Sequence, residues 1–217
     1  MNKTRAIFYD LDNTLYPQES DIIQRIDHCI RHFSLEPHEK IRQFWINEWK
    51  DNGPKKPRLI ETVVDTFSLP VDADLVIGQY RSFVTHLSLP DSSSDFLLEC
   101  KKRGLLQFLI TNGNFVTQQN KIKALQLEQF FNQIIVANGE YAKPSSFWFD
   151  HLLTINNLDP GSCISVGDWF EIDGIASEAT GICFFWINTG PVHETVHGNA
   201  KMIQKLADLS RYINYDI

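Results

Sequence analysis

Two aspartates near the start of the chain are placed to act together. Asp10 and Asp12 directly follow an apolar run, residues 6–9, of the length expected for a short buried strand. Residues two apart point to the same side of a strand, so both carboxylates can reach one point. Parallel sheets bind ligands outside the carboxyl ends of their strands, and paired carboxylates suit Mg²⁺. For two such acids alone a solvated turn is the alternative, so other residues must support a metal site.

Polar residues also follow two later apolar runs. Residues 105–110 lead into Thr111 and Asn112, and residues 163–166 lead through a glycine into Asp168. A hydroxyl and an amide at a strand end can bind phosphate oxygens, helped by the N-terminus of the next helix. Asp168 would be a third acid at the same edge of the sheet. The pattern therefore predicts one edge that binds both a metal and a phosphate.

Two further charged residues fit this edge. Lys143 precedes Pro144, so its backbone is held away from the helical region while the ammonium can reach outward. It lies in a short connection between a predicted strand and a predicted helix, where it can meet developing negative charge. A solvated surface lysine is the alternative. Asp173 follows Asp168 by a few residues and is a helix N-cap, a site residue, or both.

Composition limits the classes of function. The chain has 217 residues, of which 43% are hydrophobic and 22% charged, which is typical of a globular protein with one sizeable domain and a smaller insert. The net charge of −7 argues against a general nucleic-acid binder. No apolar run approaches the ~20 residues of a membrane span, and the N-terminus lacks the apolar core of a secretory signal. We therefore expect a cytoplasmic protein that acts on neither a nucleic acid polymer nor a membrane.

The cysteines do not indicate a metal or disulfide framework. Cys29, Cys100, Cys163 and Cys183 show no C-x-x-C spacing and lie in mostly apolar surroundings. We expect buried free thiols in a reducing compartment rather than disulfides or zinc ligands.

The hydrophobic pattern changes along the chain. Residues 17–90, here called the helical block, show helical periodicity and no convincing strand. Its predicted helices are 21–33, 39–50, 59–67 and 72–86, and residues 90–94 close it. Strands then alternate with helices, which predicts an α/β fold with a parallel sheet that the helical block interrupts. The later strands are 105–110, 133–137, 163–166 and 183–187, and the later helices are 95–103, 116–125, 147–155, 175–180 and 202–213.

Taken in order, these motifs resemble the haloacid dehalogenase superfamily along nearly the whole chain. They are Asp-Leu-Asp-Asn-Thr-Leu at 10–15, Thr-Asn-Gly at 111–113, Lys-Pro at 143–144, and Gly-Asp with a later Asp at 167–173. The resemblance implies a Rossmann-like, doubly wound parallel sheet with an inserted helical cap. The core domain would comprise residues 1–16 and 91–217, and the cap domain residues 17–90.

Weaker cues indicate a branch of that superfamily. Ile-Thr-Asn-Gly at 110–113 with Gln118 and Lys121, and Trp-Ile-Asn at 186–188, are similar to the branch that holds nucleotidases and N-acylneuraminate-9-phosphatase. Residues 10–17 are also similar to the pyrimidine 5′-nucleotidase group. These cues leave a nucleotide and a sugar phosphate both open as the substrate.

The resemblance implies a role for each of three acids. Asp10 would be the nucleophile, ionised at neutral pH because a free aspartate has a pKa of about 3.9, and would form an aspartyl-phosphate. Asp12 would protonate the leaving alcohol and then deprotonate the hydrolytic water. Mg²⁺ would be held by the carboxylates of Asp10 and Asp168 and by the main-chain carbonyl of Asp12.

The resemblance also implies how the phosphoryl group is bound. Thr111, Asn112 and Lys143 would hold its oxygens, and Asp173 would orient Lys143 or metal-bound waters. The expected function is Mg²⁺-dependent hydrolysis of a small phosphorylated metabolite, either a nucleoside monophosphate or a sugar phosphate.

Substrate choice would fall to residues in and near the helical block. The candidates are Tyr16, Gln18, Trp45, Trp49 and the loop 52–58 with Lys55, Lys56 and Arg58. For the two tryptophans core packing at helical spacing is the alternative. For the basic residues it is a solvated loop.

Three other functions stay open. A 2-haloacid dehalogenase uses the same nucleophilic aspartate on carbon but needs neither a metal nor an acid two residues later, so Asp12 argues against it. A phosphomutase acting on a phosphosugar is the second. The third is a catalytically silent binding module, favoured only by Trp169, whose ring would crowd the metal site unless it packs under the cap. Ser146 also departs from the family pattern, since many relatives have proline there.

Overall fold

A computed structural model describes residues 3–52, 58–187 and 200–213. Its strands are β1 (Ala6–Tyr9), β2 (Leu106–Asn112), β3 (Gln133–Ala137), β4 (Cys163–Gly167), β5 (Cys183–Ile187) and β6 (Lys201–Ile203). They form one sheet in the order β3-β2-β1-β4-β5-β6, and every neighbouring pair is parallel. The chain therefore winds outward from β1 to one side and then from β4 to the other. This is the Rossmann-like order, and its switch point lies between β1 and β4.

The helices of the described residues follow the predicted alternation. They are α1 (Glu19–His32), α2 (His38–Asn52), α3 (Leu59–Thr66), α4 (Ala73–Ser82), α5 (Asp91–Lys102), α6 (Phe115–Ala124), α7 (Phe147–Ile155) and α8 (Ile175–Ala179). A short π-helical segment, Phe170–Gly174, joins β4 to α8.

The sheet is buried on both faces, which explains why its strands are continuous apolar runs. In β1, Ile7 and Tyr9 belong to the core under α5 and α6, whereas Ala6 and Phe8 belong to the core under α7 and α8. Successive side chains of a strand point to opposite faces, so helices must cover both sides. The predicted α/β, doubly wound architecture is confirmed.

The helices α1–α4 bury a separate hydrophobic core of their own. Ile26 and Ile30 of α1 pack there with Trp45, which is 1% exposed and stacks on Tyr80 at a ring distance of 6.1 Å. Trp49 is partly buried against the same core. Trp45 thus packs in the core of these helices, which was the alternative to a substrate contact.

The predicted final helix, 202–213, is wrong. Residues 201–203 instead form β6, whose pairing with β5 satisfies backbone groups that a helix would otherwise use, and only Leu206–Arg211 is helical, as a 3-10 segment. The apolar spacing does mark buried residues, because Ile203, Leu206 and Leu209 all enter the core on the α5 side of the sheet. A period of three fits a 3-10 turn as well as it fits an α-helix.

Two other helix boundaries differ from the prediction. The helix expected over 72–86 ends at Ser82, because Arg25 Nη1 donates hydrogen bonds to the carbonyls of Tyr80 (2.7 Å) and Phe83 (2.8 Å) and so satisfies the end of the helix. Residues 91–94, expected to be a closing loop, form the first turn of α5. Pro90 precedes that turn and lacks the N–H that a helix start leaves unpaired.

The cysteines match the expectation of buried thiols rather than disulfides. None of the four forms a disulfide, and Cys29, Cys100 and Cys163 are buried. Among the described residues there is no helix with the length and apolar character of a bilayer span.

Candidate active site

The motif residues converge at the carboxyl edge of the sheet. Asp10 follows β1 and Asp168 follows β4, and these two strands flank the switch point. The backbone N–H of Asp10 donates to the carbonyl of Val166 at 3.0 Å, which continues the β1–β4 pairing up to the site. Ligands of doubly wound sheets bind in the crevice at this position.

Lys143 bridges two of the acids. Its Nζ atom lies 2.6 Å from Asp10 Oδ1 and 2.6 Å from Asp173 Oδ1, and its side chain is 2% exposed. Burial opposes the charge, but the Asp10 and Asp173 carboxylates outweigh it and raise the pKa of the Lys143 ammonium above its ordinary value. Lys143 is therefore a fixed positive charge beside Asp10 at all physiological pH values.

Asn112 holds the backbone of Lys143. Its Nδ2 atom donates to the Lys143 carbonyl at 2.7 Å, and its Oδ1 atom accepts from the Lys143 N–H at 2.9 Å. This pair of hydrogen bonds ties the end of β2 to the connection after β3. Because both polar atoms of the side chain serve Lys143, Asn112 positions that lysine, and a direct contact with phosphoryl oxygens stays a prediction.

Three carboxylates lie close enough to share a cation. One oxygen from each of Asp10, Asp168 and Asp173 lies within 4.8 Å of the others. Burial, followed by the Asp173 charge, raises the pKa of Asp168 to about 7, although Asn13 Nδ2 donates to Asp168 Oδ2 at 3.1 Å. Burial also raises the pKa of Asp10 well above its ordinary value, and the neighbouring acids add to this while Lys143 opposes it. The free-residue pKa assumed from the sequence therefore does not apply to Asp10.

This trio fits a hard divalent cation. Its donors are carboxylate oxygens, the ligands that Mg²⁺ prefers. Burial is the main cause of the raised pKa values of Asp10 and Asp168, and the charges of the neighbouring acids raise them further while Lys143 opposes the shift. A divalent cation would offset this crowding of negative charge. Asp10 and Asp168 are the two expected carboxylate ligands, and Asp173, for which the sequence predicted an orienting role, lies close enough to join them. That the Asp12 main-chain carbonyl is a ligand stays a prediction.

Gly167 permits the close approach of Asp173. A Cβ atom built on Gly167 would lie 2.4 Å from Asp173 Oδ2 and 2.7 Å from Asp173 Cβ, so only glycine fits here. Asp173 is also held by the backbone of Trp169, whose N–H donates to Oδ2 at 3.3 Å and whose carbonyl accepts from the Asp173 N–H at 2.7 Å. Trp169, which raised doubt in the sequence, thus supports the trio through its main chain.

Asp12 belongs to a different set of contacts. Both of its carboxylate oxygens accept from Lys121 Nζ at 2.8 Å, Oδ1 accepts from the Tyr16 hydroxyl at 2.7 Å, and Oδ2 accepts from Gln118 Nε2 at 3.2 Å. Burial alone would raise the pKa of Asp12, but the Lys121 charge and these hydrogen bonds outweigh it and lower that pKa. Asp12 is therefore an oriented, ionised carboxylate next to the trio.

Thr111 faces the same region from the end of β2. It is 1% exposed, and its Oγ1 atom accepts a hydrogen bond of 2.6 Å from Gln118 Nε2. Within the described residues, the Thr111 hydroxyl can donate its own hydrogen to the Asn112 carbonyl at 3.5 Å, which is too long for a good hydrogen bond. The hydroxyl can therefore donate to a ligand oxygen.

The structure describes some of the candidate specificity residues but not the middle of the loop 52–58. Tyr16 is buried and binds Asp12, and the backbone N–H of Gln18 donates to Asn13 Oδ1 at 3.1 Å. Arg58 is exposed and lies 3.5 Å from Glu61. Lys55 and Lys56, like residue 188 of the branch cue, fall outside the described residues.

Sequence reasoning did not assign a role to Gln118 and Lys121. Both are 2% exposed, and both lie on the side of α6 that also buries Ile122. Polar residues three positions apart on the apolar side of a helix are unusual and could have indicated a buried polar site. Asp21 carries a similar signal, because it is fully buried next to Ile22 in α1.

Comparisons with known proteins give one consistent result. A glyceraldehyde 3-phosphate phosphatase from Pyrococcus furiosus is 26% identical over 203 residues, covering 89% of this chain and 85% of that protein. The N-acylneuraminate-9-phosphatase of Mus musculus is 24% identical over 215 residues, covering 87% and 84%. Among solved structures, the HAD-hydrolase YfnB from Bacillus subtilis, bound to magnesium, superposes with a TM-score of 0.79 at 17% identity, covering 98% of this chain and all of that one.

The family model for haloacid dehalogenase-like hydrolases matches residues 7–187. This span contains all four sequence motifs and every strand that lines the site, and it covers well over half of the chain. The match, together with the sheet order and the trio of acids at the switch point, shows that the chain belongs to the haloacid dehalogenase-like hydrolases.

Proposed function

We propose that this hydrolase is a Mg²⁺-dependent phosphatase that cleaves the phosphomonoester of a small metabolite, with Asp10 as the nucleophile. One observation carries the proposal: the carboxylate of Asp10 lies at the switch point, 2.6 Å from the Lys143 ammonium and within 4.8 Å of carboxylate oxygens of Asp168 and Asp173. A nucleophile beside the fixed Lys143 charge and beside carboxylates that can hold a metal cation suits attack on a phosphate dianion, because like charges would otherwise keep the nucleophile and the phosphate apart. The phosphatases among the relatives support the same reaction class.

The first chemical step transfers the phosphoryl group to the protein. An oxygen of Asp10 attacks phosphorus as the bond from phosphorus to the leaving oxygen breaks, and the leaving alkoxide takes a proton from Asp12. Lys143 and the Thr111 hydroxyl hold phosphoryl oxygens during the transfer. An arriving phosphate dianion favours the protonated form of Asp12, because a nearby negative charge raises the pKa of a carboxyl group.

The second step hydrolyses the aspartyl-phosphate. Water attacks phosphorus, the bond to Asp10 breaks, and Asp12 accepts the proton of the water. The contact with Lys121, which lowers the pKa of Asp12, favours the ionised form that this step requires. A divalent cation bound by Asp10, Asp168 and Asp173 would supply charge compensation for the phosphoryl oxygens and for the carboxylates themselves.

The substrate is expected to be a nucleoside monophosphate or a small sugar phosphate. The named relatives act on phosphorylated compounds of the sugar class, glyceraldehyde 3-phosphate and an N-acylneuraminate 9-phosphate. The helices α1–α4 form their own core beside the site and would act as the cap over the leaving group.

Assays of phosphate release from a panel of nucleoside monophosphates and sugar phosphates, with Mg²⁺ and with EDTA, test the proposal. We expect activity that needs the metal. Asp10→Asn should lose at least about 10⁴-fold in kcat, while the matched exposed variant Asp95→Asn should be unchanged. Full activity of Asp10→Asn would refute the nucleophile assignment. Activity on 2-haloacids that survives EDTA, with none on phosphomonoesters, would replace a phosphatase with a dehalogenase.

A further inference from the structure

A buried chain of charges connects the helical block to Asp12. Asp21 of α1 accepts from Arg25 Nε at 3.0 Å through both oxygens and lies 3.6 Å from Lys121 Nζ, which itself binds both oxygens of Asp12 at 2.8 Å. Positive and negative charges alternate along this chain and balance in number. Asp21 and Arg25 come from the helical block, Lys121 from α6, and Asp12 from the end of β1.

Three of the four charged side chains in this series are buried, and only the last, Asp12, is partly exposed. The side chains of Arg25 and Asp21 are 0% exposed and that of Lys121 is 3% exposed, whereas that of Asp12 is 20% exposed. Its only open end among these four groups is therefore the carboxylate in the site. Burying charged groups costs free energy even when they are paired, and well-packed apolar residues at these positions would stabilise the fold at least as well. Stability alone therefore does not explain these four charges.

Asp21 also ties together the two connections of the helical block. It lies in the first turns after the connection from β1, and it accepts a hydrogen bond of 2.7 Å from Thr85 Oγ1 in the connection that returns to α5. On the other side, Asn120 Nδ2 of α6 donates to the Ser82 carbonyl at 3.2 Å. The position of α6, and with it Lys121, is thus defined relative to both connections.

We propose that Lys121 is a positioning residue for the reaction and that Asp21 acts on Asp12 through it. Lys121 holds the Asp12 carboxylate in one orientation by a two-oxygen contact, and Asp21 holds the Lys121 ammonium from the helical block. The role rests on the proposed function, in which Asp12 transfers protons. The placement of the helical block is then communicated to the proton-transfer group by direct contacts and needs no movement of the sheet.

A double-mutant cycle on a phosphomonoester of an aliphatic alcohol tests this inference. Lys121→Met should lower kcat by about 100-fold, the loss expected from misplacing a reacting group by about 1 Å, while KM stays within about threefold. Asp21→Asn should lower kcat by about tenfold. Because Asp21 acts through Lys121, the double variant should have the kcat of Lys121→Met within about twofold.

The controls are matched on the same helices. Lys123→Met removes an exposed lysine of α6, and Asp27→Asn removes an ion-paired aspartate of α1, and both should keep the wild-type kcat. A second readout uses 2,4-dinitrophenyl phosphate, whose leaving group departs without a proton. First-turnover release of dinitrophenolate should fall far less in Lys121→Met than first-turnover release of the aliphatic alcohol.

The outcomes separate the two proposals. If the wild type hydrolyses phosphomonoesters but Lys121→Met keeps its kcat, or if the effects of Lys121→Met and Asp21→Asn multiply, the positioning role is overturned and the phosphatase stands. An equal loss on both leaving groups would also overturn it. A folded wild type without phosphatase activity overturns both. Should Lys121→Met fail to fold, Asp21→Asn with its leaving-group comparison decides, because it leaves the lysine in place.

Discussion

Replacing Gly167 by alanine should disable the site by displacing Asp173, without changing the chemistry of any side chain in the site. The added Cβ would lie 2.4 Å from Asp173 Oδ2, 2.5 Å from Cγ and 2.7 Å from Cβ. Carbon atoms pack at about 3.5–4.0 Å, so Asp173 must retreat by about 1 Å, and rotation alone cannot achieve this because its Cβ is also in contact. Either the 2.6 Å contact between Asp173 and Lys143 would break, or Lys143 would follow Asp173 and move away from Asp10.

We expect Gly167→Ala to lose about 100-fold in kcat/KM and about 1–3 kcal/mol in the free energy of unfolding. Phosphate release from an aryl phosphate at saturating Mg²⁺ and thermal unfolding measure the two effects. Gly78→Ala is the matched control, since its Cβ would meet nothing within 4 Å in the middle of α4, where alanine should stabilise by up to about 1 kcal/mol. Wild-type activity and stability in Gly167→Ala would refute the claim that close packing of Asp173 positions Lys143.

Other predictions concern the lysine support and the acid trio. Asn112→Ala should lower kcat by roughly 10–100-fold and stability by about 1–3 kcal/mol, because it removes both hydrogen bonds to the Lys143 backbone; activity and urea unfolding check this. In the folded protein the pKa of Asp168 is raised to about 7, whereas in the unfolded chain it keeps its ordinary, lower value. At a pH between these two pKa values, the folded state therefore binds one more proton than the unfolded state. The metal-free protein should therefore lose stability as the pH rises from about 4 to about 7, and Asp168→Asn should weaken that dependence. In EDTA at about pH 8, Asp168→Asn should melt above the wild type, and added Mg²⁺ should stabilise the wild type but not the variant. Thermal melts that show no such difference would contradict the raised pKa that burial and the neighbouring acids give Asp168.

The sequence predicted the sheet because its strands are buried on both sides. Runs such as residues 6–9 and 163–166 are continuous and apolar, and their polar residues begin where the strands end, so the site edge was predictable too. Strand β6 was missed because it has three residues and only its pairing with β5 defines it. Local spacing cannot report that long-range pairing, and the same spacing also fits a helix.

The finer geometry of the site depends on contacts between distant segments. Asn112 resembles a phosphate ligand in the sequence, but its partner is the backbone of Lys143, which only the fold brings near. Likewise Lys121 appeared in the sequence only as part of a family-branch cue without a role, and its contact with Asp12 joins residues more than a hundred positions apart. Acids at strand ends can be read locally, whereas the groups that orient them cannot.

Chemical trapping of the phosphorylated protein tests the central claim most directly. The wild type is mixed with a phosphomonoester and Mg²⁺, quenched in acid within one turnover and reduced with borohydride, which converts an aspartyl-phosphate to homoserine. Peptide mass spectrometry should then find homoserine at position 10 and none at positions 12, 168 or 173. Rapid phosphate release with an unmodified position 10, or homoserine at another of these positions, would contradict Asp10 as the nucleophile.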